Sequence, residues 1–175
     1  MSDSPSRVLH ELDGIHDPVV RLDPEEVWRC LGPAGKAREG LNPDVLNATD
    51  IAAAVSKPRG ISRVLNVHSA ARGKVHFESG QIAVGKLLPH LLDGADGVIF
   101  LIATAGPGVE TQVSELMSRG DHIDGVVLDA GGSAVAMNAA EQIQAQLMYK
   151  VEQAGYKVGP PITPGTEAWD LEGQH

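Results

Sequence analysis

Gly97-Val98-Ile99-Phe100-Leu101-Ile102-Ala103-Thr104 runs straight into Ala105-Gly106-Pro107-Gly108, and the reading of this stretch decides the fold. The first eight residues are a continuous apolar run of strand length, the pattern of a strand buried on both faces. The glycines and proline that follow turn the chain. Val109, Val113 and Leu116 then recur at i, i+4 and i+7, which lays one core-facing stripe on a helix that Gly120 ends. Strand followed directly by helix is the signature of an α/β chain.

Working outward, Val126-Val127-Leu128 reads as a second buried strand. Gly131-Gly132-Ser133 follows it as a turn, with Ser133 as N-cap of a helix to about Gln153 that places Ala136, Ala140, Ile143, Leu147 and Val151 on one face. On the N-terminal side, Asp23-Pro24-Glu25-Glu26-Val27-Trp28 is a helix start. Asp23 caps, Pro24 suits the first helical position, and two glutamates face the positive helix end. Gly32 and Pro33 stop it. Asn42-Pro43-Asp44 opens an Ala-rich helix through about Ser56. Ile61–His68 and Lys74–Phe77 read as strands joined by a hairpin at Arg72-Gly73, and Gln81–Leu92 as an apolar helix interrupted by Pro89. Residues 1–20 read as a flexible leader ahead of one domain over 21–175. Gly159-Pro160-Pro161-Ile162-Thr163-Pro164-Gly165 is a rigid extended loop.

Composition excludes several classes. The chain has 175 residues, 42% hydrophobic and 21% charged, the balance of a globular domain. With only 3% aromatics, its core must be built from Ala, Val, Leu and Ile. A net charge of −9 with 14 scattered basic residues argues against nucleic acid. No apolar run reaches the roughly 18–20 residues of a membrane span, and residues 1–10 lack the apolar segment of a signal peptide. The single cysteine, Cys30, permits no disulfide framework and suits a reducing, cytoplasmic setting.

Two corners bear on chemistry. At Thr104–Gly108 and at Asp129–Ser133, glycine lets a ligand approach the backbone, and helix N–H groups attract carboxylate or phosphate; equally, glycine there makes a tight turn. Neither corner holds a P-loop or a dinucleotide fingerprint. Asp129 stands at a carboxyl edge, suited to ligand contact or to capping the turn. His68 and His76 lack further convergent ligands for a metal. Cys30 beside Trp28 and Leu31 reads as a buried thiol, and Trp169 as a core plug or a ligand wall. An enzyme acting on an anionic substrate at the Gly106 and Gly132 turns is a separate reading.

The order of these features resembles a family. The Asp23-Pro-Glu-Glu-Val-Trp-Arg-x-Leu-Gly opening leads to a long helix, the Lys57-Pro-Arg stop and a strand into Thr104-Ala-Gly-Pro-Gly. Leu128-Asp-Ala-Gly-Gly-Ser133 and the Pro164-Gly165 loop near Trp169 complete the series. Over roughly residues 20–175 it is similar to the S-adenosylmethionine-binding activation domain of cobalamin-dependent methionine synthase, and more so to small stand-alone proteins built from that domain. The resemblance implies a mixed α/β (α+β) domain with a twisted, largely antiparallel sheet and flanking helices. It implies a role in reductive reactivation of a corrinoid (vitamin B12) methyltransferase. There S-adenosylmethionine gives a methyl group to cobalamin held by a partner, and a flavin protein supplies the electron. Carried onto this chain, the S-adenosylmethionine contacts fall to Thr163, Pro164 and Gly165, with Thr104, Gly106 and Glu141 nearby. The family's loop resembles Arg-x-x-Pro-Gly-Tyr; Pro161 and Thr166 stand at its outer positions here, and Met137, Asn138 and Ala145 stand where an acid is expected. Loss of an Arg–carboxylate bond of about 1.5–3 kcal/mol corresponds to roughly 10- to 150-fold weaker binding. The alternative is a non-enzymatic partner module that keeps the fold, has lost the ligand and docks on a corrinoid protein. Relatives of this kind carry a terminal helix beyond the position of His175, so the reading includes a chain shortened at its C-terminus.

Overall fold

The structure, a computed structural model, describes residues 11–36, 42–166 and 169. Within them lie β1 (Gly14–His16), α1 (Pro24–Lys36), α2 (Asn42–Val55), β2 (Arg59–Ala71), β3 (Lys74–Phe77) and β4 (Ile82–Val84). They are followed by α3 (Leu88–Leu91), β5 (Gly97–Thr104), α4 (Pro107–Arg119) and α5 (His122–Gln153). The five strands form one sheet in the order β1-β2-β3-β4, with β5 paired to β2. The β2–β3 and β3–β4 pairings are antiparallel. The mixed α/β class with a largely antiparallel sheet and flanking helices is therefore the observed one.

The chain condenses into two compact units. Of the described residues, one takes those up to Gly14, Ser62–Phe100 and those from Met148; the other takes those of Ile15–Ile61 and Leu101–Leu147. In the first unit, Val67 faces Phe77 and Ala71 faces Lys74, with a bulge between Val67 and Ser69. Arg72 (φ 52°) and Gly73 (φ 75°) close this hairpin, a pair of positive φ values that the twist of a two-residue hairpin demands. Val75, Phe77, Ala83 and Leu88 are the buried centre, and Val98, Phe100, Ile162 and Trp169 pack against it. Phe77, Phe100 and Trp169 meet edge to face, at 5.5 Å and 6.0 Å between ring centroids. Each such pair contributes about 0.5–1.5 kcal/mol beyond its buried area. The indole of Trp169 is thus a plug of this core, with its Nε1 buried and without a partner among the described residues.

The second unit is built from helices. Val45, Ala48, Thr49 and Ala52 form the buried stripe of α2, at the i, i+3, i+4, i+7 spacing of a core-facing helix. Val45, Ala48 and Ala52 join Val27 of α1, Val109 of α4 and Val127, Leu128, Ala134 and Val135 of α5 in one apolar cluster. α1 breaks at Gly32 (φ 68°), where the Gly-Pro stop was expected.

Four expectations are corrected. Val126–Leu128 is not a strand: it lies inside α5, so the Asp129–Ser133 corner does not exist and Asp129 is an exposed helical residue. Gln81–Leu92 is not one helix: only Leu88–Leu91, with Pro89 in its first turn, is helical. Gly80 (φ 91°) turns the chain back from β3, and Ile82, Ala83 and Val84 alternate exposed, buried, exposed as an edge strand. β5 is not buried on both faces, since Ile102 is 71% exposed. Over the described half of the leader, Leu12 is buried and Gly14–His16 is a strand. There the Ser62 hydroxyl donates to the Leu12 carbonyl and the Val64 N–H to Asp13 Oδ1. Residues 1–10 and 170–175 lie outside the described residues.

Gly108 is the tightest test of the second unit: a Cβ there would come within 2.2 Å of the Val55 carbonyl oxygen. Gly108→Ala should lower stability by about 1–3 kcal/mol, read as a shift in the urea midpoint. Gly159→Ala, with open space around the added carbon, should stay within about 0.5 kcal/mol.

Candidate functional site

The corner between β5 and α4 forms as its sequence predicts, and its local chemistry is self-contained. Thr104 Oγ1 accepts the Gly106 N–H at 3.1 Å. Gly106 sits at φ 86°, a conformation that side chains avoid, and Pro107 opens α4 where no N–H is needed. The Lys57 N–H donates to the Ala105 carbonyl at 2.8 Å, and a Cβ on Gly106 would lie 2.9 Å from the Lys57 carbonyl oxygen. The glycine therefore admits the chain's own α2–β2 connection. Gly131 and Gly132 do the same for helices. Added Cβ atoms would meet Ala52 Cβ at 3.1 Å and Val109 Cγ1 at 2.7 Å. The reading of a second glycine turn for an anionic substrate falls with the strand that defined it.

A polar seam joins α1 to α5. Asp23 Oδ1 accepts the Glu25 N–H at 2.9 Å, and Glu26 Oε2 accepts the Asp23 N–H at 3.0 Å, a reciprocal capping box. The other carboxylate oxygen of Glu26 accepts Asn138 Nδ2 at 3.0 Å. Gln142 Nε2 in turn donates to Asn138 Oδ1 at 2.8 Å and to the Val19 carbonyl at 3.0 Å. Beside this seam Glu26, Arg29, Cys30, Ala134, Met137, Asn138 and Glu141 line a groove with about 10 Å³ of free space. That is room for about one water, against the several hundred Å³ of a pocket for a small-molecule ligand. Cys30 Sγ lies 3.8 Å from Met137 Sδ. Burial pushes its thiol pKa up; Arg29 opposes and Glu26 adds to the rise. A thiol so placed is a poor nucleophile at neutral pH.

The proline-rich tail makes a closed turn. Gly165, at φ 86°, donates its N–H to the Trp169 carbonyl at 2.8 Å, and Thr166 Oγ1 donates to the Thr163 carbonyl at 2.8 Å. Two of the backbone groups expected to meet a ligand are therefore engaged within the turn. Thr163 and Gly165 themselves are exposed.

Of the six residues read as ligand contacts, Thr104 and Gly106 share one corner and Thr163, Pro164 and Gly165 share one turn. Glu141 lines the groove on α5, whose lining includes neither Thr104 nor Gly106. Sequence reasoning missed the seam partners Asn138 and Gln142. The signal that could have found them is the Asp23-Pro-Glu-Glu cap, because only one oxygen of Glu26 is consumed by capping. Among the described residues no three His, Cys, Asp or Glu side chains converge as a metal site, and no helix is long and apolar enough to cross a membrane. No protein-family model matches the chain, and no curated protein matches it.

Two measurements check the groove. Glu26→Ala removes the reciprocal half of the capping box and takes the acceptor from the half-buried Asn138 amide, and should cost about 0.5–1.5 kcal/mol in chemical denaturation. Cys30 should react with a disulfide reagent more slowly than a free thiol at pH 7, with a rate still climbing as pH passes the ordinary thiol range. A rate that levels off near neutral pH would mean an activated thiolate.

Proposed function

We propose that this chain serves a corrinoid-dependent methyltransferase, such as methionine synthase, as a stand-alone activation-domain-like component. In this reading S-adenosylmethionine is the methyl donor. When bound, it would supply a methyl group to the partner's cobalamin once that had been reduced by one electron from a flavin protein, the sulfur keeping the bond pair and leaving as S-adenosylhomocysteine. The chain's own task is to place the sulfonium, with Thr163, Pro164 and Gly165 as the presenting turn. The observation that carries the reading is the fold: five antiparallel strands with flanking helices, the class that the resemblance implies. The Pro164-Gly165 turn, with Pro164 half-buried and Gly165 exposed near the core-plugging Trp169, supports it.

A second reading has its own support. Pro161 and Thr166 replace the loop's Arg and Tyr, the Gly165 N–H and Thr163 carbonyl are bonded internally, and the groove at Glu141 has room for about one water. These features favour a non-enzymatic module that docks on a corrinoid protein without a ligand of its own.

Calorimetric titration with S-adenosylmethionine separates the two. The first reading expects saturable heat, weak for want of the arginine, and tightening on Pro161→Arg by roughly 10- to 150-fold. No heat at millimolar ligand, together with retention of a purified corrinoid protein on the immobilised chain, favours the second. Failure of both measurements removes the corrinoid role altogether.

A further inference from the structure

We draw no further inference here: the strongest candidate, the patch of exposed isoleucines Ile15, Ile61 and Ile102 on β1, β2 and β5, is an apolar sheet surface, and nothing in the structure shows what covers it.

Discussion

Close approach of backbones is the constraint on which the helical unit depends. The chain is poor in aromatics, so it cannot fill wide gaps with large side chains, and it closes the gaps instead. Gly131 meets Ala52, Gly132 meets Val109 and Gly108 meets Val55, each at or inside the contact distance that an added carbon would need. Val, Ala and Leu then suffice to fill the remaining volume, as the cluster around Val27, Val45 and Leu128 shows. Interiors are packed to crystal-like density, so small residues at the crossings are a packing requirement. This also accounts for the glycines that look, in the sequence, like places for a ligand to approach.

The polar contacts complete what the apolar contacts begin. Glu26 uses both carboxylate oxygens, one for the start of α1 and one for Asn138 on α5. Gln142 extends the chain of bonds to the Val19 carbonyl. Half-buried amides placed this way are satisfied, so the seam fixes the rotation of α1 against α5 without leaving an orphaned group. Cys30 and Met137 lie beside it as soft packing groups.

Much of the fold was legible. The strand-to-helix corner at Thr104–Gly108, the cap at Asp23, the helix from Asn42 and the hairpin at Arg72-Gly73 all announce themselves through local chemistry that tertiary contacts do not override. The failures have a common cause. Val126-Val127-Leu128 is an apolar run with two β-branched residues between glycines, and a run that short does not distinguish a strand from a buried stretch of helix. The glycines after it answer to Ala52 and Val109, which are distant in sequence and so invisible to any local pattern. The first part of Gln81–Leu92 failed conversely: its apolar content suggested a helix, whereas the pairing of Ile82–Val84 with β3 set an extended backbone, and only Leu88–Leu91 is helical. The candidate site was less legible than the fold, because hydrogen bonds such as Asn138 to Glu26 depend on geometry across 112 residues.

The aromatic cluster of the first unit draws Phe77, Phe100 and Trp169 from widely separated parts of the chain. During synthesis on the ribosome, Phe77 and Phe100 emerge well before the indole that covers them. Until residue 169 is made, that face of the sheet stays wet and apolar, which is the condition in which nascent chains associate wrongly or recruit chaperones. Slow translation through the stretch before Trp169 would therefore lengthen that interval.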